Sequence, residues 1–232
     1  MSIAHRTVSA LLLITLIGCF YLSSNQIGFS SYEGSDKVEV SAGSHPAVIV
    51  WAVLVICLYF ALLYRNLHTE LVGPAKMWRR TLSFLIDFLV VVLATSSITA
   101  LIPLEVEARR VGHFEWSFAR DYMVSSDSAL WPLAFLALIE FFLYAVYPLT
   151  RGKQTIGEYV MRIKVLPPFG VDGRFTWNAA MRRVWYSFLG AGLWPYTLAK
   201  KVDRNRQTWY DRKTDCSAVL VDYKRGDADV AT

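Results

Sequence analysis

Residues 76–102 read KMWRRTLSFLIDFLVVVLATSSITALI. Lys76, Arg79 and Arg80 surround Trp78, and from Leu82 to Ile102 the chain is apolar apart from small hydroxyl residues and Asp87. A hydrocarbon core about 30 Å thick needs about 20 such residues in a helix. Tryptophan among cations marks the place where a helix enters the bilayer from its positively charged side. This stretch therefore predicts a transmembrane helix that carries one carboxylate inward.

Three more apolar runs extend the reading: Thr7 to Leu22, Pro46 to Tyr64 and Ala129 to Leu149. With 54% hydrophobic and 14% aromatic residues in 232, the chain is too apolar for an ordinary soluble domain. The expectation is an all-α membrane protein of four transmembrane helices, and the lipid bilayer is its first partner. Pro46 suits the opening turn of the second helix, where no intrahelical donor is required.

The distribution of cations sets the expected orientation. With the amino terminus inside, Arg6 and the segments 65–80, 151–183 and 200–232 hold 20 of the 24 Lys and Arg, leaving Lys37, Arg109, Arg110 and Arg120 outside. That asymmetry predicts a multi-pass protein of a bacterial inner membrane with both termini cytoplasmic. It also accounts for the net charge of +5 without a nucleic-acid partner. Three cysteines, Cys19 and Cys57 in apolar runs and Cys216 in the predicted cytoplasm, do not form a disulfide framework. The scattered His5, His45, His68 and His113 offer no metal site, and no cofactor is implied.

The amino-terminal run has two readings. Leu16, Ile17, Gly18 and Cys19 resemble a lipobox, in which the cysteine is lipidated after cleavage. The apolar run continues through Phe20, Tyr21 and Leu22, which favours an uncleaved span with Cys19 as a small packing residue.

Between the helices, Ser23 to His45 reads as a mobile external loop, and Pro103 to Ser128 as a second outside segment with a short amphipathic piece around Phe114, Trp116 and Phe118. After Leu149, Thr155-Ile-Gly-Glu158 fits a capping box that starts a short helix. Arg162 to Leu166 alternates basic and apolar residues, with Ala218 to Asp222 as its partner in a small cytoplasmic β-ribbon that the membrane-proximal helices would have to cover. Val184 to Ala199 is short, has cations at both ends, and holds Gly190, Gly192 and Pro195, so a re-entrant or interfacial helical hairpin is expected. The basic turn at Arg151 and Lys153 suits contact with phospholipid headgroups.

From Pro74 to Tyr223 the residues resemble the RDD family of membrane proteins. The likeness runs through Trp78-Arg79-Arg80 and Asp87, Lys153-Gln154-Thr155-Ile156-Gly157, the segment Arg162 to Leu166, and Arg206-Gln207-Thr208-Trp209-Tyr210-Asp211-Arg212. It assigns Arg80, Asp87, Gln154, Thr155, Gly157 and Asp211 as family-motif residues. It implies cation and proton exchange of the kind found in some relatives. Lys153, Glu158 and Tyr210 depart from the family's usual Gly, Lys and His. A proton-handling role at the last is not expected here, because tyrosine titrates near about 10 rather than about 6.5. The organisation is then an amino-terminal two-span extension over 1–73, an RDD-like domain over 74–223, and a flexible tail over 224–232.

A carboxylate at mid-bilayer costs about 2.5–3.5 kcal/mol, so Asp87 and Glu140 must face a partner or a wet cavity. They are the ion and proton candidates. The structural alternative locks Asp87 to Arg80 of a neighbouring chain, or to Arg182 or Arg183, as a packing device. For Arg80 the alternative is an anchor whose stem snorkels to the surface, and for Asp211 it is helix capping with Thr208. Two functions follow: a small transporter, whose four spans make a thin pathway and call for a homo-oligomer, or a non-catalytic scaffold or assembly factor whose cytoplasmic cap recruits a protein. No nucleophile elbow, phosphate loop or Cys/His pair points to an enzyme.

Overall fold

The computed structural model describes residues 3–22, 27–31, 38–65, 69–122, 127–167, 174–192 and 208–223. It is mostly helical. Helix α1 spans Ile3–Leu22, α2 Pro46–Tyr64, α3 Met77–Thr99, α4 Leu101–Val111, α5 Asp127–Thr150, α6 Ile156–Met161, α7 Trp177–Gly192 and α8 Trp209–Lys213. Among the described residues, His5–Leu22, Pro46–Tyr64 and Met77–Val111 are long and apolar enough to cross a membrane, and Leu138–Thr150 forms a shorter apolar helix.

Two three-stranded antiparallel sheets accompany the helices. Strands β1 (Ile27–Ser31), β2 (Val38–Gly43) and β4 (Ser117–Tyr122) form one, in the order β1-β2-β4. Strands β3 (Thr69–Pro74), β5 (Ile163–Leu166) and β6 (Ser217–Tyr223) form the other, in the order β3-β6-β5.

Several expectations change here. The stretch from Ser23 to His45, expected as a mobile loop, contributes two strands, because β1 and β4 satisfy both edges of β2. The outside segment after Pro103 is not an amphipathic piece around Trp116. It begins as α4, ends in a left-handed Gly112 whose N–H bonds to Ala108 O at 2.8 Å, and continues as β4. The expected ribbon of two strands has a third, since β3 pairs with the free edge of β6 with a register shift between Leu71 and Gly73. Of the hairpin expected over 184–199, the structure describes the first half, as a helix that starts earlier, at Trp177, and runs to Gly192; residues 193–199, with Pro195, lie outside the described residues, as do Arg206, Gln207 and the tail.

The chain divides into two compact units. One comprises Met1–Leu11, Leu58–Phe88 and Phe142–Thr232, and the other Leu12–Cys57 and Leu89–Phe141. In the first, Val146 and Leu149 of α5, Ala180 and Val184 of α7, Phe175 just before α7, and Cys216 make a buried apolar cluster. There β6 buries Ala218, Val221 and Tyr223. In the second, Trp51 of α2 donates its ring N–H to Thr15 Oγ1 of α1 at 3.1 Å, which satisfies a polar atom in an otherwise apolar contact.

Candidate functional site

Two buried carboxylates organise the first unit, and the face of α3 that carries Arg80, Ser83 and Asp87 serves both. All three side chains are buried, as their spacing on one helical face requires.

Asp211, with no exposed surface, sits in the first turn of α8. Its Oδ2 accepts from the Thr208 backbone N–H at 2.9 Å and hydroxyl at 2.8 Å, while the Thr208 hydroxyl accepts from Asp211 N–H, so the pair closes a capping box. Arg80 also donates to Oδ2, and its second nitrogen donates to Ala218 O of β6 at 3.1 Å. On the other oxygen, Arg183 Nη2 stands 2.6 Å from Oδ1, an ion pair whose angle is not that of a hydrogen bond. The Arg183 guanidinium also lies over the Tyr210 ring, 4.6 Å from its centre. Burial works to raise the Asp211 carboxyl, but Arg183, Arg80 and the Thr208 bonds outweigh it and hold it below the usual carboxylate range. Arg80 is therefore not a snorkelling anchor, because its head is tied into a buried knot that joins α3, α7, α8 and β6. Trp78 is exposed, with the Arg79 guanidinium over its ring, 5.0 Å from the ring centre.

Asp87 lies two turns further along α3. Its Oδ1 accepts from Tyr144 Oη at 2.6 Å and from Gly157 N–H at 2.7 Å, and its Oδ2 from Thr155 Oγ1 at 2.7 Å. All three donors are neutral. Among the described residues no cation pairs with Asp87, since Arg80 and Arg183 are both committed to Asp211.

The start of α6 is built for this contact. Thr155 and Glu158 form the predicted capping box, with Thr155 N–H donating to Glu158 Oε2 at 3.1 Å and Glu158 N–H to Thr155 Oγ1 at 3.3 Å. The remaining free amides go to Tyr144, which accepts from Ile156 N–H at 2.9 Å, and to Asp87. Gly157 is required, because a methyl there would run into the Ser83 carbonyl oxygen and stand 2.8 Å from the Asp87 carboxyl. Gln154 secures the approach by donating to Ile163 O at 2.5 Å and accepting from Tyr223 Oη at 3.2 Å. Glu158 retains some exposed surface, but its carboxyl folds back onto the Thr155 amide. Burial first, and then the neighbouring Asp87 charge, push that carboxyl up to about 8.

Glu140 belongs to the other unit, where it accepts from Thr95 Oγ1 of α3 at 2.5 Å. Asp87 and Glu140 thus have separate partners. Sequence reasoning missed the Tyr144 hydroxyl as a ligand of Asp87. A tyrosine near the end of an apolar helix suggests an interfacial ring, and only the fold shows its hydroxyl facing inward.

Chemically, the Asp87 site is a carboxylate with oxygen atoms of a phenol and an alcohol against it. Both hydroxyls can act as donor or acceptor, a chemistry compatible with either the charged or the protonated carboxyl. The fixed Gly157 N–H keeps one oxygen of the carboxylate in place in both cases.

A sequence model described as the RDD family matches residues 74–215. No curated protein and no solved structure matches the chain.

Proposed function

We propose, from the premise that this chain belongs to the RDD family, that it is a membrane protein exchanging a cation for protons, with Asp87 as the group that the two compete for. The observation that carries this reading is the set of partners around Asp87: three neutral donors, two of them reversible, and no counter-cation among the described residues. A carboxylate kept only as a packing device would be expected to sit on an arginine, as Asp211 does. Glu140, bonded to the Thr95 hydroxyl, offers a second carboxylate of similar chemistry.

The strand pairings support four crossings with both termini cytoplasmic. Strands β2 and β4 are separated in the chain by α2 and α3, yet they pair, and β3 and β6 are separated by α3 and α5, yet they pair. Each pairing needs an even number of crossings between its strands. The cation-poor segments form one sheet and the cation-rich segments the other, in keeping with the positive-inside rule. So few spans make a narrow pathway, which favours a homo-oligomer.

The test is reconstitution into liposomes that enclose a pH dye. An imposed sodium or potassium gradient should move the lumenal pH, and Asp87→Asn, checked by its melting curve to be folded, should fall to the rate of empty liposomes. A wild-type protein that leaves the gradient uncoupled from pH, while holding a stoichiometric protein through purification in mild detergent, would establish the scaffold function instead.

A further inference from the structure

Five cations lie on segments near where the chain leaves its apolar helices in the first unit, and three of them, Lys153, Lys164 and Arg174, act on one another. Arg65 follows α2, Arg151 and Lys153 follow α5, Lys164 is on β5, and Arg174 precedes α7. Three bonds draw these segments together. Lys153 Nζ donates to the Arg65 carbonyl oxygen at 3.0 Å. The Gln154 side chain donates to Ile163 O at 2.5 Å, which sets Lys153 beside the start of β5 and Lys164. Phe175 N–H donates to Leu149 O at 3.3 Å, which sets Arg174 beside the turn that carries Arg151. Burial first, and then the charges of Lys164 and Arg174, lower the pKa of Lys153, as expected for cations crowded together.

Among the described residues none of Arg65, Arg151, Lys164 and Arg174 is paired with a carboxylate; Arg151 instead donates to Tyr147 Oη at 3.2 Å and lies over that ring. The carboxyl that feels Lys164 is the turned-in Glu158. Like charges held this close repel unless an anion joins them.

The neighbouring surface has the opposite character. Three residues after Arg174, α7 begins, and it exposes Trp177, Trp185 and Leu189 at helical spacing while burying Ala180, Arg183 and Val184. Trp185 and Phe188 pack on Phe142 of α5, with ring centres 5.7 and 5.9 Å apart, so the aromatic surface continues from α7 onto a membrane helix. Tryptophans beside cations on a helix with one greasy face are the pattern of the headgroup boundary.

We propose that Arg65, Arg151, Lys153, Lys164 and Arg174, with the exposed face of α7, bind an anionic phospholipid, its phosphate on the cations and its chains along Trp177 and Trp185. A free phosphate satisfies the cations but leaves that aromatic face in water. A lipid satisfies both, and the position of Arg151 and Lys153 immediately beyond α5 puts the cations at the depth of headgroups.

The full chain in neutral detergent is titrated with phosphatidylglycerol, phosphatidylcholine or inorganic phosphate, and melting temperature and retained lipid mass are read. Phosphatidylglycerol should raise the melting temperature by roughly 5 °C or more near saturation and stay bound in native mass spectra. Lys164→Gln with Arg174→Gln should reduce that rise to the phosphatidylcholine level, and Lys164→Arg with Arg174→Lys should restore it. Equal stabilisation by the two lipids, a phosphate effect as large as that of phosphatidylglycerol, or a glutamine variant that keeps the full rise would each overturn the assignment. The site stands apart from Asp87, so Asp87→Asn should leave the lipid effect intact.

Discussion

Glu158 gives the sharpest residue-level consequence. A carboxyl raised in the folded state keeps its proton at pH values where the unfolded chain has lost it, so the stability it lends is complete below about 4.5 and fades as pH rises to about 8. Asp211, held low, acts in the opposite sense and only in acid. The melting temperature in detergent should therefore fall between pH 5 and 8 by more in wild type than in Glu158→Gln, whose amide still accepts from Thr155 N–H. Parallel melting curves for the two proteins would refute this. Gly157→Ala probes the adjacent contact, and because backbone rather than a mobile side chain is in the way, it should cost about 1–3 kcal/mol by chemical denaturation. The Thr155–Glu158 capping box was legible because both partners lie within one turn. The ligands of Asp87 were not, since Tyr144 and Thr155 are 57 and 68 residues away and only the fold selects them over Arg80 and Arg183.

At the scale of elements, α8 and β6 show how much depends on short pieces. Five residues of helix hold Asp211 between two arginines, and the Thr208 cap orients that carboxylate. Thr208→Ala removes both cap bonds made by the hydroxyl and should cost about 1–2 kcal/mol, a fall of roughly 2–8 °C in melting temperature. Arg80→Ala leaves Asp211 with one cation and should cost more, about 3–5 kcal/mol. A smaller effect of Arg80→Ala than of Thr208→Ala would mean that the knot is not a buried ion network. Alternation revealed β5 in the sequence, with Ala218 to Asp222 as its expected partner. It could not reveal β3, whose TELVGP has a glycine and a proline and gains its strand character from the edge that β6 offers. The strands of the other sheet were hidden for the same reason, since Ser and Gly report loop propensity while pairing is decided elsewhere.

At the scale of the molecule, the amino-terminal helix is joined to the family domain although the family match begins at residue 74. His5 Nε2 bonds to the Tyr159 carbonyl oxygen at 2.9 Å, and its ring lies 4.8 Å from Tyr159 and 4.7 Å from Tyr223. His5→Ala should thus lower the stability of the first unit by about 1–3 kcal/mol, whereas a helix merely appended to the domain would leave it unchanged. If α1, α2, α3 and α5 all cross, Glu115 and Asn178 must face opposite compartments, because of those four only α5 lies between them in the chain. Both residues are exposed, so Glu115→Cys and Asn178→Cys can be placed singly in a chain whose Cys19, Cys57 and Cys216 are alanine. An impermeant maleimide should label the first in intact cells and the second only after permeabilisation. Labelling of both from one side would mean that α5 does not cross. The strand pairing of β3 with β6 would then require α3 not to cross either, and Asp87 would lose its place in the membrane.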